Sequence, residues 1–146
     1  MKSPFPRQRE AASLRAVLQA LRAFGVDCER QNTGGMSNEK GQYVAFGQSG
    51  NTDITGMMTR GPWRGRRVDV EVKRPGFDPK RPGSARARQR WQKQLERIQR
   101  TNRNGGIAFW ATSADEVAAV MTRVNEGLRV VVEEDGTVYV TDEEQV

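Results

Sequence analysis

Apolar residues recur along this chain in three patterns, and each predicts a different kind of element. From 7 to 24, Leu14, Val17, Leu18, Leu21 and Phe24 fall at helical spacing, and Gly25 suits the position after the last turn. Val26 to Asn32 reads as a first strand. Between 33 and 51, Gly34, Gly35, Gly41, Gly47 and Gly50 predict a loop around a short strand at Tyr43–Phe46. Alternation then takes over: Thr52–Met58 and Arg66–Arg74 read as two strands joined through Gly61-Pro62 and Gly65. Pro75-Gly76 closes the second, and 75–83 is a loop rich in Pro, Gly, Lys and Arg. Ser84 caps a long helix running to about Asn102, with Trp91, Leu95 and Ile98 as its apolar stripe. The continuous run Ile107–Ala111 predicts a buried strand. Ser113 with Glu116 forms a capping box for a helix containing Val117, Val120, Met121 and Val124, ended by Gly127. Val130–Val132 and Val138–Val140 flank Asp135-Gly136, a hairpin signal. The predicted order is α-β-β-β-α-β-α and then a β-hairpin, an α/β chain without internal repeats.

The strand at Arg67–Lys73 carries the candidate chemistry. Side chains alternate between the faces of a strand, so Val68, Val70 and Val72 share one face and Asp69, Glu71 and Lys73 the other. The valine face reads as core. Glu71 and Lys73 stand roughly 7 Å apart by strand rise, and a hairpin with Thr52–Met58 would bring Asp53 beside Glu71. Two carboxylates suit a hard divalent cation such as Mg²⁺, which is commonly held by one or two carboxylates together with substrate phosphate and water. An adjacent lysine can orient water and stabilise charge developing on a phosphate. Taken alone, a Glu-x-Lys strand is common and reads first as an acidic edge whose Glu and Lys are merely solvated. Asp69, one strand step away, reads as a partner for nearby arginines.

Composition narrows the chemistry further. The chain has 146 residues, 36% hydrophobic and 29% charged, which is the size of one domain with a real core. No apolar run approaches the roughly 18 residues of a membrane span. The first residues lack the apolar stretch of a secretory signal, so a cytoplasmic setting is expected. Cys28 is the only cysteine and alternates with Val26 as core, which excludes an intramolecular disulfide framework and multi-cysteine zinc sites. The absence of histidine excludes Ser-His-Asp and Cys-His catalysis and any histidine base. Hydrolysis by this chain must therefore use carboxylates, lysine and a hard metal.

The net charge of +6 is unevenly placed. Residues 60–100 hold fourteen Lys/Arg against four Asp/Glu, whereas 113–146 hold two against nine. A concentrated basic segment around the Glu-Val-Lys strand fits a polyanionic partner; the plain alternative is a solvated helix face. On the long helix, Arg86, Arg90, Lys93, Arg97 and Arg100 line up opposite the apolar stripe, with Gln89 beside them. Arg74 at the end of its strand, Lys80 in the basic loop and Asn32 at the end of the first strand complete the residues expected to face nucleic acid. Trp63, between Pro62 and Arg64 in a turn, is a candidate for stacking on a base, while Trp91 and Trp110 sit in core patterns. Glu10 lies on the apolar face of the first helix, one turn before Leu14, and has two readings: an inward carboxylate that needs a partner such as a metal, or an acid favoured near the helix N-terminus.

The linked motifs resemble the PD-(D/E)XK nuclease superfamily and, within it, the virus-type replication-repair nuclease (VRR-NUC) family. The resemblance covers about residues 8–120. It rests on Glu10, Arg30-Gln31-Asn32-Thr33-Gly34, Gly50-Asn51-Thr52-Asp53-Ile54-Thr55-Gly56, Val70-Glu71-Val72-Lys73-Arg74-Pro75-Gly76, Gln89 and Gly105-Gly106-Ile107-Ala108-Phe109. Thr52 stands where the superfamily name has proline. The resemblance implies a restriction-endonuclease-like αβββαβ core over about 8–126, with a C-terminal helix and a β-hairpin with acidic tail at 127–146, all in a single domain. It further implies Mg²⁺ or Mn²⁺ held by Asp53, Glu71, the Val72 carbonyl and Glu10, with Lys73 positioning the attacking water and Gln89 steadying the site. The implied activity is a DNA endonuclease acting on branched, flapped or junction DNA in a bacterial or phage-infected cell; a chain this small gripping a branched duplex is expected to work as a homodimer. The other expectations are a non-catalytic DNA-binding or assembly protein on the same fold, and a restriction-like enzyme with base-specific readout.

Overall fold

The computed structural model describes residues 6–31, 34–37, 40, 43–46 and 52–142. In chain order the elements are α1 (Pro6–Ala23), β1 (Val26–Arg30), β2 (Gly34–Ser37), β3 (Tyr43–Phe46), β4 (Ile54–Met58), β5 (Arg67–Val72), α2 (Ala85–Arg103), β6 (Ile107–Ala111), α3 (Ala114–Val124), β7 (Arg129–Val132) and β8 (Val138–Thr141). Four strands make a mixed sheet in the order β1-β4-β5-β6. β1, β4 and β5 are antiparallel neighbours, and β6 runs parallel to β5. A parallel pair needs a crossover connection, and α2 supplies it.

The predicted alternation on β5 places its residues as expected, but both faces are covered. Val68 and Val70 are fully buried on one side. On the other, Asp69 is also fully buried and Glu71 is only 3% exposed. α2 lies on this second face, since Thr101 and Gln94 bond to Asp69 and Glu71. α1 and α3 pack against each other and bring Val17, Leu21, Val117, Met121 and Val124 into the core with the valines. Fully burying each such side chain contributes about 1.5–3 kcal/mol. Gly56 in β4 sits opposite Cys28, where a Cβ would collide with the Asp27 carbonyl and the Cys28 side chain. That close approach brings β1 tightly against β4.

Two helix starts follow their sequence signals. Ser84 Oγ accepts from the Ala87 N–H, and Ser113 Oγ from the Glu116 N–H. The Glu116 carboxylate reaches back to the N–H and hydroxyl of Thr112. Asn102 ties the end of α2 to β6 by bonding both the N–H and the carbonyl of Ala108. The β7–β8 hairpin packs on β6 and α2; Gln99 donates to the Val132 carbonyl and Trp110 to that of Gly136. The segment read as a loop differs from expectation. Gly34–Ser37 forms β2 and pairs antiparallel with β3 as a separate two-stranded sheet. No described helix is long and apolar enough to cross a membrane.

Candidate active site

The register of β4 on β5 sets the site. Ile54 lies opposite Val70, so one further step places Asp53 opposite Glu71. Asp53 Oδ2 accepts the Val72 N–H at 2.9 Å, which fixes this carboxylate across the end of β5. Glu71 Oε1 accepts from Gln94 Nε2 at 2.9 Å. Its other oxygen, Oε2, is buried and receives no hydrogen bond. Lys73, just past β5, donates from Nζ to Gln94 Oε1 at 2.6 Å and stands 3.9 Å from Glu71 Oε1. The ammonium lies 4.9 Å from the Phe77 ring centroid and 5.3 Å from that of Trp91. Phe77, Trp91 and Trp110 pack edge to face beneath it. Cation–π attraction and the Gln94 bond together hold the amine in one place.

Gln94 is the residue that sequence reasoning missed. An ammonium can only donate and a carboxylate can only accept, so one amide orientation satisfies both neighbours. Gln89, the glutamine expected to steady the site, is exposed on α2 and is not brought to these residues. Five positions along a helix is about 140° of rotation, so the two glutamines face different ways. The signal was present: Gln94 lies between Trp91 and Ile98 at apolar spacing, where a polar residue must find a buried partner.

Burial pushes the Glu71 carboxyl well above its ordinary value of 4.5, the adjacent Asp53 carboxylate adds to the rise, and Lys73 only partly opposes it. Between pH 4.5 and the raised value, the folded chain keeps a proton that the unfolded chain has lost. Glu71 therefore contributes most stability below pH 4.5, and that contribution is lost as the pH rises through the window, by at most about 1.4 kcal/mol per pH unit. Glu71→Gln should flatten this decline, because the amide keeps an acceptor for Gln94 and offers Asp53 a donor. Melting curves in EDTA from pH 5 to 8 should show the variant gaining on the parent as pH rises; parallel curves would remove Glu71 as the titrating group.

The second carboxylate on this face has a different role. Asp69 accepts from Arg67 Nε at 2.9 Å, Thr101 Oγ1 at 2.9 Å and Thr55 Oγ1 at 3.0 Å. It is the arginine partner expected, with all its bonding needs met inside the fold. Among the described residues, no three Asp, Glu, His or Cys side chains converge as a metal-binding group. Asp53 and Glu71 thus form a pair of hard oxygen donors. The orphaned Glu71 oxygen and the repulsion within the pair fit a divalent cation held between them.

Along α2, Arg86, Arg90, Lys93 and Arg100 are exposed and Arg97 is half-buried. Arg67, Arg97, Arg100, Thr101, Asn104 and Gly106 line an open groove of about 400 Å³. Arg74 and Lys80 are exposed. Trp63 is committed to the fold: it donates to the Leu128 carbonyl, and the guanidinium carbons of Arg66 and Arg129 lie 5.7 and 5.9 Å from its ring centroid. Asn32 and the side chain of Glu10 lie outside the described residues; α1 begins at Pro6, which puts Glu10 in its second turn. No family model matches the chain, and no curated protein is significantly similar to it.

Proposed function

We propose that this chain is a divalent-metal-dependent DNA endonuclease with a PD-(D/E)XK-type site, of the VRR-NUC kind, acting on branched or otherwise structured DNA. The observation that carries the reading is Glu71, a nearly buried carboxylate beside Asp53 with one oxygen lacking any donor. A carboxylate kept in that state costs stability, and a role in holding a cation accounts for it. Asp53 and Glu71 would hold Mg²⁺ or Mn²⁺. When bound, such an ion polarises the phosphate and makes water a better nucleophile at neutral pH.

The chain's own residues supply the rest. The Val72 N–H fixes the Asp53 carboxylate, and Gln94 fixes both Glu71 and Lys73. Lys73 presents an ammonium beside the carboxylates, where it can orient water and stabilise negative charge on the phosphate. The exposed cations of α2, with Arg74 and Lys80, would hold the DNA backbone. Branched DNA is suggested by the family resemblance, and the residues themselves speak to phosphodiester chemistry.

The test is cleavage of labelled duplex, flap, splayed-arm and four-way-junction DNA. Cutting is expected in Mg²⁺ or Mn²⁺ and should stop in EDTA. Ca²⁺ should permit binding without cutting, since its longer, looser coordination fits carboxylates but activates water poorly. Undiminished cleavage in excess EDTA, or none of any substrate in Mn²⁺, overturns the reading.

The basic stripe allows a separate measurement. Removing three charges among Arg86, Arg90, Lys93, Arg97 and Arg100 should weaken DNA binding alike across sequences. The slope of log K against log salt should flatten by roughly one unit per lost phosphate contact. An unchanged slope would make the stripe a solvated helix face.

A further inference from the structure

Gln31 lies immediately after β1 and belongs to the same row as the two carboxylates. Its N–H donates to the Asp53 carbonyl at 2.7 Å, which continues the β1–β4 register one step beyond Arg30 opposite Ile54. Residues directly opposite in antiparallel strands share a face, with Cβ atoms about 4.5–5.5 Å apart. Alternation along β1 agrees. Val26 and Cys28 are buried in the core, whereas Asp27 and Glu29 are exposed on the other side, and Gln31 has their parity. Gln31, Asp53 and Glu71 therefore run side by side across β1, β4 and β5.

Gln31 Oε1 is buried and has no hydrogen-bond partner. Two of the buried side-chain oxygens without a donor, those of Gln31 and Glu71, thus flank Asp53 in one row. An amide oxygen is a hard, neutral donor of the kind that Mg²⁺ and Mn²⁺ accept alongside carboxylates and water. A third carboxylate in this row would deepen the repulsion already felt by Glu71; an amide adds an oxygen without adding charge.

We infer that Gln31 is a third oxygen donor to the divalent cation held by Asp53 and Glu71, directly or through one water. This rests on the nuclease reading only for the existence of the cation site, and the test separates the two. Mn²⁺ alone is titrated calorimetrically into the full chain, and Mn²⁺-induced thermal shifts are recorded in parallel, for the parent, Asp53→Asn, Gln31→Ala, Gln31→Met and Gln31→Glu. Gln31→Ala and Gln31→Met should raise the Mn²⁺ Kd about 10–100-fold, the usual cost of losing a supporting group at a metal site. Their metal-free melting temperatures should hold or rise, since an unpartnered buried acceptor is removed. Gln31→Glu should retain binding, because an oxygen remains. Gln31→Met preserves length and keeps the test alive if the alanine variant fails to fold. An unchanged Kd in a folded Gln31 variant, with binding still lost in Asp53→Asn, overturns this inference alone. Absence of any Mn²⁺ binding that Asp53→Asn removes overturns the cation site itself.

Discussion

Alanine at Asp53, Glu71 or Lys73 is expected to lower metal-dependent cleavage by at least about a hundredfold, near 2.7 kcal/mol of barrier. Each loss has its own cause. Without Asp53 or Glu71 the row keeps one carboxylate, too little charge to hold a cation. Without Lys73 the cation site survives, but the amine that Gln94, Phe77 and Trp91 hold in place is gone. Because the three act as one unit, double variants should be little worse than singles. Asp53→Asn is the better control for folding, since it keeps an oxygen for the Val72 N–H. Gln94→Ala should give a smaller loss, as Glu71 and Lys73 remain but lose their common anchor. The measurements are single-turnover rates on a flap substrate in Mn²⁺, with melting curves to confirm folding. A folded single variant that keeps more than about a tenth of the parent rate, under roughly 1.4 kcal/mol, has no part in the chemistry.

Much of this arrangement is legible in the sequence, and what is hidden has physical reasons. The helices α1, α2 and α3 are written in apolar spacing and in Ser84 and Ser113 as caps. The alternation Val68-Asp69-Val70-Glu71-Val72 states which residues share a face. It does not state what covers that face, and the burial of Asp69 and Glu71 under α2 is a tertiary fact. β2 was hidden because Gly34-Gly35 has little strand preference of its own; pairing with β3 makes the strand. Gln94 is hidden because it is a polar residue within an apolar stripe, whose spacing does not say which polar member turns inward, while the role of Gln89 came only from the family resemblance. Gln31 depends on the register between β1 and β4. Register joins residues that lie more than twenty positions apart in the chain, and no local pattern contains it.

Asp69 and Glu71 sit two residues apart on one face of one strand, both nearly inaccessible, yet their removal should move stability in opposite directions. Glu71 carries an oxygen with no donor, so neutralising it relieves a cost. Asp69 takes three donors, from Arg67, Thr55 and Thr101, and its pairing with Arg67 leaves the arginine half-exposed at 50%. In Asp69→Ala, Arg67 can turn to water. Thr101, 8% exposed at the edge of the groove beside Arg67, loses the acceptor of its hydroxyl. Losing these bonds should cost about 2–4 kcal/mol, which for a chain of this size lowers the melting temperature by roughly 6–12 °C. Asp69→Asn should fall between the parent and alanine, since its oxygen can still accept from Arg67 and Thr101 and its amide can donate to the Thr55 hydroxyl, but the charge that pairs with Arg67 is lost. Cleavage per folded molecule should change far less than in any variant of Asp53, Glu71 or Lys73. Urea unfolding beside single-turnover cleavage separates the two effects. If Asp69→Ala kept its stability but lost its activity, the division between a structural and a functional carboxylate on this strand would be wrong, and Asp69 would belong with the site.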